Sequence, residues 1–437
     1  MNPLAKTLND RLEEASPEVY AMLSPLGRGL YFPKGILAQS AEAKAMAHRF
    51  NATIGIATEG GEAMHLPSVA AHLLGIAPDD AFPYAPAGGR PALRELWRDK
   101  QREENPNQAG KTTGLPVVTS ALTHGLALVG DLFVAPGDCI VLPDKLWGNY
   151  RLTYEVRYGG RIATFPLFDG EGFDVAALRR TLAEQASAHE KIIVLLNFPN
   201  NPTGYMPTVD ENEAIASALI ECARGGTRVV AVCDDAYFGL FYHLRGRSAT
   251  ESLFGRLTGE HKNLLAVRLD GATKELFVWG LRCGFLTLGP GDAASADVVI
   301  DVLDAKLRGA IRSGISNSPM LSQTLVERAL ADPKSRAERD EKCEVLRQRA
   351  ERTDQVSRDA RFASSWDVYP FNSGYFMCVA LRGVAAEATR RQLLEQHETG
   401  LIATSETDLR VAFSCLEVDE IEPVFELVDR AVRELRG

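Results

Sequence analysis

The segment 270–282, Asp-Gly-Ala-Thr-Lys-Glu-Leu-Phe-Val-Trp-Gly-Leu-Arg, holds two cationic side chains that could act in one pocket, Lys274 and Arg282. The apolar run 264–269 before it predicts a buried strand, so both side chains would lie beyond the end of a strand. An amine can form a Schiff base with a carbonyl, and a guanidinium can bind a phosphate through two hydrogen bonds. A lysine near a strand end is also commonly a solvated surface charge. The neighbouring motifs decide between these two interpretations.

Two polar motifs follow other predicted strands. The run 197–204, Asn-Phe-Pro-Asn-Asn-Pro-Thr-Gly, predicts a rigid extended loop whose amides can bind a ligand oxygen, with a plain surface loop as the alternative. The run 234–237, Asp-Asp-Ala-Tyr, ends a further strand. A carboxylate buried at Asp234 needs a cation such as a protonated pyridine nitrogen, and Tyr237 could hydrogen-bond the same ring. Asp234 could instead cap the next helix.

Upstream residues supply an anion site and an aromatic surface. The segment 117–126 predicts a strand that turns into a helix near Thr123, and free amides at a helix N-terminus bind phosphate. Trp147 could cover one face of an aromatic ligand, although an isolated tryptophan is more often part of a core. Together the motifs indicate an aromatic ring with an aldehyde and a phosphate arm, which is pyridoxal 5'-phosphate.

The types of these residues and their order along the chain resemble those of the class I and II aminotransferases of the aspartate aminotransferase fold (fold type I). The resemblance extends over nearly the whole chain. The resemblance implies transfer of an amino group between an L-amino acid, with acidic or aromatic ones favoured, and a 2-oxo acid. It also implies that the catalytic residues are Lys274, which forms the Schiff base and moves the proton, Asp234, which keeps the ring nitrogen protonated, and Tyr237. The matching positions are Tyr84, Thr123, Trp147, Asn201, Asp234, Tyr237, Lys274, Arg282 and Arg410.

The resemblance assigns the other cofactor contacts as well. Tyr237 and Asn201 would bind the ring oxygen. Arg282 and Thr123 would hold the phosphate, and Tyr84 would reach the phosphate of the neighbouring subunit. A homodimer with shared active sites is therefore expected.

Substrate binding is expected at four residues. Arg410 matches the arginine that pairs with the α-carboxylate, with a strand-edge surface arginine as the alternative, and Trp147 and Asn201 also face the substrate. Arg312 resembles the arginine that binds the distal carboxylate of aspartate or glutamate across the dimer interface. A helix-end arginine that pairs locally is the alternative at this position.

Two departures from the family pattern affect the phosphate site. Ala121 and Leu122 stand where relatives usually carry serine or glycine, so only their backbone amides could contribute. Gly271 stands three residues before Lys274, where a phosphate-binding serine is common. Phosphate binding would then rely mainly on Arg282 and on the helix start at Thr123.

The order of predicted elements indicates an α/β fold with a large domain, in which helices cover both faces of a mostly parallel sheet. A smaller α+β domain would be formed by the N- and C-terminal segments. We expect an N-terminal arm and part of the small domain over 1–60, the large domain over 61–335 and the rest of the small domain over 336–437. Helices are predicted at 8–23, 40–50, 319–360 with a break at Pro333, and 420–435. Strands are predicted at 117–118, 139–142, 161–165, 191–196, 228–233, 264–269, 285–288, 369–381 and 408–413.

Composition narrows the class of protein. A formal net charge of -10 argues against nonspecific nucleic-acid binding. No uninterrupted apolar run approaches the roughly 18 residues of a membrane helix, and the first residues do not resemble a secretion signal. The 7 cysteines are scattered, without Cys-x-x-Cys spacing, which argues against a disulfide framework and a zinc site. A cytoplasmic protein acting on small molecules, with no bound metal, is expected.

Two other functions stay open at this point. The same cofactor also supports lyase or decarboxylase chemistry, because the fold does not decide which bond breaks. A regulator that binds the cofactor without catalysis is less favoured, because only about 80 residues precede Tyr84 and no helix-turn-helix is predicted there. The run 110–112, Gly-Lys-Thr, lacks the first glycine of a P-loop, and His65 and His124 have no companions at metal-ligand spacing.

Overall fold

A computed structural model describes residues 1–31, 35–246 and 248–437. Helices and strands alternate through the middle of the chain. The α-helices are α1 (Pro3–Ala15), α2 (Pro17–Met22), α3 (Pro25–Gly29), α4 (Ile36–Met46), α5 (Pro67–Ala71), α6 (Pro91–Glu104), α7 (Ala121–Phe133), α8 (Asn149–Arg151), α9 (Val175–Ala188), α10 (Val209–Arg224), α11 (Leu253–Leu257), α12 (Ala272–Glu275), α13 (Ala296–Gly314), α14 (Met320–Ala331), α15 (Pro333–Ser357), α16 (Ala386–His397) and α17 (Ile421–Arg436).

The strands are shorter, and several are only two residues long. They are β1 (Phe50–Asn51), β2 (Thr58–Glu59), β3 (Glu62–Ala63), β4 (Val117–Ser120), β5 (Cys139–Pro143), β6 (Arg161–Phe165), β7 (Phe168–Asp169), β8 (Gly172–Phe173), β9 (Lys191–Asn197), β10 (Arg228–Asp234), β11 (Leu264–Gly271), β12 (Cys283–Pro290), β13 (Trp366–Val368), β14 (Met377–Leu381), β15 (Thr399–Gly400), β16 (Ile402–Ala403) and β17 (Asp408–Val411). Single 3-10 turns lie at Pro78–Asp80, Pro106–Gln108, Trp279–Leu281, Ala360–Phe362 and Phe413–Cys415, and a π-helical turn, Leu152–Arg157, continues α8.

Seven strands form the central sheet, in the order β4-β12-β11-β10-β9-β5-β6. Neighbouring strands are parallel except for β12, which runs opposite to β11 and β4. The start of β12 therefore lies at the same edge of the sheet as the ends of the other strands. Ligands bind at this edge in sheets of this kind. The predicted α/β fold with a mostly parallel sheet is confirmed, and each of the predicted central strands is present.

Helices cover both faces of this sheet. On β10, Val229 and Ala231 belong to a core shared with α9 and α10, whereas Val230 and Val232 belong to a core shared with α7 and α13. Because both faces are buried, such a strand has a continuous apolar sequence instead of an alternating one. This is why the apolar runs predicted the central strands well.

A second sheet lies in the C-terminal part of the chain, with the order β13-β14-β17-β16 and antiparallel pairing throughout. Helices α15, α16 and α17 contribute to its core. Strand β1 pairs in parallel with β15, so the N-terminal segment joins the C-terminal one. The smaller α+β unit built from both termini agrees with the predicted fold class, while the boundaries at 60 and 335 stay predictions.

Two predicted helix boundaries near the N-terminus are wrong. The helix predicted at 8–23 is broken at Ser16, because Pro17 has no N–H with which to continue the helical hydrogen bonds. The Ser16 hydroxyl instead accepts a bond from the Val19 N–H at the start of α2. The helix predicted at 40–50 ends at Met46. By contrast, the break predicted at Pro333 separates α14 from α15.

Within 1–31, 35–246 and 248–437, no helix has the length and apolar character needed to cross a bilayer.

The segment predicted as a strand from 369 becomes one only at Met377, which is a further correction. Before that point, the chain reaches across to the loop after β9. The N–H groups of Asn372 and Ser373 both donate to the Gly204 carbonyl at 3.0 Å. The side chain of Asn372 accepts from the Met206 N–H at 2.9 Å and donates to the Met206 carbonyl at 2.8 Å. The N–H groups of Asn372 and Ser373 are therefore not available to pair with a neighbouring strand.

Gly204 can be replaced only at high cost, because its backbone has a φ of +76° and a Cβ there would lie 2.0 Å from the Phe376 carbonyl oxygen. We expect Gly204→Ala to lower the free energy of unfolding by more than about 3 kcal/mol. Gly259 is the matched control, since its φ is +78° but no atom lies within 4 Å of a Cβ. Gly259→Ala should cost only about 1–2 kcal/mol from the left-handed backbone. Equal losses in denaturant unfolding would contradict the steric argument.

Candidate active site

The ends of five strands and the start of β12 surround a cavity of about 320 Å³. All of the predicted site residues except Tyr84 and Arg312 line it. Those that do are Ala121, Leu122, Thr123, Trp147, Asn201, Asp234, Tyr237, Lys274, Arg282 and Arg410. Their assigned roles stay predictions, but the structure brings these side chains into one place.

Lys274 lies on the short helix α12, directly after β11. Its Nζ is 4.8 Å from the centre of the Tyr237 ring. Burial lowers the pKa of the amine to about 8; the charge of Arg282 acts in the same direction and the carboxylate of Asp234 opposes it. The Tyr375 hydroxyl donates to the Lys274 carbonyl at 3.1 Å and holds the backbone. An amine with this pKa is unprotonated often enough near neutral pH to act as a nucleophile.

Asp234 ends β10 and is almost fully buried. Its Oδ2 accepts a 2.6 Å bond from the Tyr150 hydroxyl, and its Oδ1 accepts from the Ala236 N–H at 3.1 Å. Burial nevertheless raises the pKa of Asp234, against the lowering effects of the Tyr150 hydroxyl, the Lys274 charge and the Ala236 amide. A carboxylate in this setting is stabilised by an added cation, such as a protonated ring nitrogen.

The loop after β9 is tied to the end of β10. The Asn197 side chain donates to the Asp234 carbonyl at 2.8 Å and accepts from the Asn201 N–H at 2.7 Å. The second bond holds the Asn201 backbone, and the Asn201 Oδ1 accepts from the Arg410 Nη1. The loop predicted from the prolines and asparagines is therefore tied to β10 at its start, and Asn201 lines the cavity.

Arg410 comes from β17 of the smaller sheet and is only 1% exposed. Its Nη1 donates to the Asn201 Oδ1 at 3.1 Å, its Nη2 donates to the Thr53 carbonyl at 2.7 Å, and its carbon Cζ lies 4.0 Å from the centre of the Phe376 ring. Burial lowers the pKa of the guanidinium. Its Nε has no hydrogen-bond partner in the described part of the chain. A buried guanidinium with free donor capacity suits a ligand carboxylate.

The start of α7 forms another part of the cavity wall. No side chain caps this helix, and Ala121 has a φ of +61° at its first residue. Arg282 adds a positive charge there, and its Nη1 donates to the Trp279 carbonyl at 3.1 Å. Free helix amides beside a guanidinium form a site for a phosphate-sized anion.

The structure explains the glycine three residues before Lys274. A Cβ on Gly271 would lie 2.9 Å from the Cys283 carbonyl oxygen and 2.9 Å from the Gly284 Cα. Because β11 and β12 pair Gly271 with Gly284, neither backbone can move away easily. A serine hydroxyl therefore cannot be placed here without displacing the sheet.

Tyr84 and Arg312 do not line this cavity. Tyr84 is 89% exposed, and Arg312 is exposed on α13, where its Nη1 donates to the Ser316 hydroxyl. The local pairing of Arg312 matches the alternative interpretation of this residue. Their roles across a dimer interface stay predictions.

Several lining residues were not predicted from the sequence. Some stood inside the motifs already identified, but the sequence assigned none of them an individual role. The lining residues that were missed are Ile54, Gly55, Ile56, Tyr150, Asn197, Ala236, Thr273, Trp279 and Phe376.

The His124 side chain bonds to the backbone at the start of α7. Its Nδ1 accepts the Ser120 N–H at 3.1 Å, and burial lowers the pKa of its ring. Among residues 1–31, 35–246 and 248–437, no group of three or more His, Cys, Asp or Glu is placed to hold a metal ion.

Tyr150→Phe tests whether the Tyr150 hydroxyl acts on the Asp234 carboxylate. Burial raises the folded-state pKa of Asp234 above 3.8, so stability declines as the pH rises through that folded pKa. The Tyr150 hydroxyl lowers this pKa, so its removal raises the pKa of Asp234 further. The decline in stability with rising pH then becomes larger and extends to higher pH. We expect unfolding free energies of the apoprotein to fall by about 1.5–3 kcal/mol at neutral pH and by less near pH 4.

Tyr154→Phe is the matched control. Tyr154 is equally buried, but its hydroxyl donates to the neutral Leu126 carbonyl at 3.2 Å. Its loss should cost about 0.5–1.5 kcal/mol with little dependence on pH. If the two variants show the same pH profile, Tyr150 stabilises the fold without acting on Asp234.

Comparisons with known proteins agree with this arrangement. The aspartate aminotransferase of a Bacillus species is 25% identical over 229 residues, or 51% of this chain and 51% of that protein. The aspartate/prephenate aminotransferase of Thermus thermophilus is 29% identical over 219 residues, or 49% of this chain and 50% of that protein. The chain thus spans about half the length of the curated relatives it matches.

Solved structures share the fold over nearly the whole chain. An aminotransferase of Anaerococcus prevotii superposes with a TM-score of 0.81 at 20% identity, covering 94% of this chain and 98% of that one. The kynurenine aminotransferase of Pyrococcus horikoshii gives a TM-score of 0.79 at 17% identity, covering 96% and 99%. The family model for aminotransferase class I and II matches residues 57–428. The chain therefore belongs to the class I and II aminotransferase family, whose cofactor is pyridoxal 5'-phosphate.

Proposed function

We propose that this protein is an aminotransferase that moves an amino group between an L-amino acid, acidic or aromatic, and a 2-oxo acid. The proposal depends on one observation: Lys274 lines the same cavity as the buried Asp234 and Arg410. These groups could respectively bind a carbonyl carbon, a cationic ring nitrogen and a carboxylate. The names of the relatives support the same reaction class.

The residues present fit pyridoxal 5'-phosphate. Its aldehyde accepts an amine, and its protonated ring withdraws electrons from the adjacent carbon. Asp234 would hold the ring nitrogen, because burial raises the pKa of this carboxyl in the absence of a cation. Arg282 and the amides at the start of α7 would hold the phosphate. Trp147 lines the cavity and would cover one face of the ring.

Lys274 would then move a proton at the substrate's Cα. The lowered pKa of its amine, about 8, suits a base that must accept and return a proton near neutral pH. Arg410 would hold the α-carboxylate, because its Nε is free while its other nitrogens are anchored to Asn201 and Thr53. This anchoring orients the substrate before reaction.

One half-reaction distinguishes transamination from lyase and decarboxylase reactions on the same cofactor. We expect a single amino acid, added without an acceptor, to convert the bound cofactor to its amine form, which is visible in its absorbance. Product formed without this conversion would favour elimination or decarboxylation.

We also propose a homodimer in which Tyr84 and Arg312 complete the neighbouring site. Leu74, Phe82 and Tyr84 are 80%, 84% and 89% exposed, and Val298 at the start of α13 is 68% exposed. Large apolar side chains left this exposed support burial against a second subunit. The seven free cysteines support a reducing compartment such as the cytoplasm.

Replacing Lys274 tests the nucleophile. Lys274→Ala should abolish the absorbance of lysine-bound cofactor and reduce turnover by at least about 10³-fold, because both the covalent link and the proton transfer are lost. Lys274→Arg keeps the positive charge but cannot condense with an aldehyde, so it should fail equally. Activity retained by either variant would overturn the proposed function.

Replacing Arg312 tests the distal-carboxylate role. If Arg312 binds the side-chain carboxylate of the substrate, Arg312→Ala should lower kcat/KM for aspartate at least about 10-fold more than for phenylalanine. Arg308→Ala is the matched control, because Arg308 lies one turn earlier on α13 and pairs with Asp304. Equal losses for both substrates would remove Arg312 from substrate recognition.

A further inference from the structure

We propose that Thr273 and Trp279 supply two neutral hydrogen-bond donors to the cofactor phosphate, in place of the hydroxyl that Gly271 cannot carry. The inference rests on the proposed function, since it concerns the same cofactor. It assigns the Thr273 hydroxyl and the Trp279 indole N–H, neither of which belongs to the family pattern identified in the sequence.

The loop between Lys274 and Arg282 folds back on itself, and both residues line the same cavity. The Val278 N–H donates to the Thr273 carbonyl at 3.1 Å, so the residue before Trp279 returns to Thr273. The Arg282 Nη1 then donates to the Trp279 carbonyl at 3.1 Å. Thr273, Trp279 and Arg282 are thereby fixed around one closed loop, and all three line the cavity.

Both donors are buried and unused within the described part of the chain. Thr273 is 4% exposed, and its Oγ1 has no hydrogen-bond partner. The Trp279 Nε1 is buried and also has none. A buried donor without an acceptor costs about 1–3 kcal/mol, so two such donors in one cavity wall indicate a bound acceptor.

The surrounding groups identify that acceptor as an anion with several oxygens. The start of α7 adjoins the loop, because Ser120 is paired with Cys283 and a Cβ on Gly284 would lie 2.9 Å from the Ala121 carbonyl carbon. The free amides of α7 and the Arg282 guanidinium provide the positive field. Neutral donors add directed bonds without further charge.

A phosphate fits this end better than the substrate carboxylate does. The α-carboxylate already has a separate guanidinium, Arg410, which comes from β17 and is anchored to Asn201. Trp279 lies beside Arg282 instead, because its backbone carbonyl accepts a bond from the Arg282 guanidinium. A phosphate also offers three terminal oxygens, enough for the guanidinium, the helix amides and two neutral donors.

The experiment compares the affinity of the apoprotein for pyridoxal 5'-phosphate with its affinity for pyridoxal, which lacks the phosphate. Trp279→Phe keeps an aromatic ring but removes the N–H, and Thr273→Val keeps the shape but removes the hydroxyl. Each should weaken binding of pyridoxal 5'-phosphate about 10-fold, measured by absorbance titration, and leave pyridoxal unchanged. Thr273→Ser retains the hydroxyl and should bind like the unmodified protein.

The two ligands also separate this inference from the proposed function. If both variants bind pyridoxal 5'-phosphate as tightly as the unmodified protein, or lose affinity equally for both ligands, the assignment to phosphate is wrong. If the unmodified protein fails to bind pyridoxal 5'-phosphate saturably, the proposed function itself is wrong. The predicted pattern is a loss confined to the phosphorylated ligand in both variants and its recovery in Thr273→Ser.

Discussion

The constraint on which the structure depends is the burial of two opposite charges at adjacent strand ends. Asp234 ends β10 and Lys274 follows β11, its parallel neighbour in the sheet. Burial disfavours the charged form of each, which raises the pKa of the carboxyl and lowers that of the amine. Desolvation therefore favours binding of a cation by the Asp234 carboxylate and favours the unprotonated, reactive form of the Lys274 amine. The burial that costs folding free energy also produces the reactivity of the site.

Each of these residues has an acidic neighbour in sequence that turns away from the cavity. Asp235 lies 2.8 Å from the Arg268 Nε, and that atom is 3.1 Å from the Asp270 Oδ2. Glu275 is 2.6 Å from the Lys100 Nζ. These buried pairs neutralise the extra carboxylates. The Arg268 pairs connect β11 with the residue after β10, and removing one member would leave an uncompensated buried charge.

The site is completed where the two parts of the chain meet. Arg410 belongs to the smaller sheet, yet it donates to Asn201 from the loop after β9 and to Thr53 beside β1. The loop containing Asn201 is in turn held by Asn372 and Ser373, through the Gly204 carbonyl. The guanidinium expected to bind the substrate is thus positioned by elements that are hundreds of residues apart in the sequence.

The sequence by itself determined the α/β class, the central strands and the main cavity residues, because apolar strands buried on both faces and unusual polar residues at their ends are local patterns. Tertiary structure alone revealed Tyr150, Thr273 and Trp279, since a hydroxyl or indole acquires a role only from the groups it faces. It also decided that the segment before Met377 bonds to Gly204 instead of forming a strand. Such choices depend on contacts distant in sequence, which no local pattern contains.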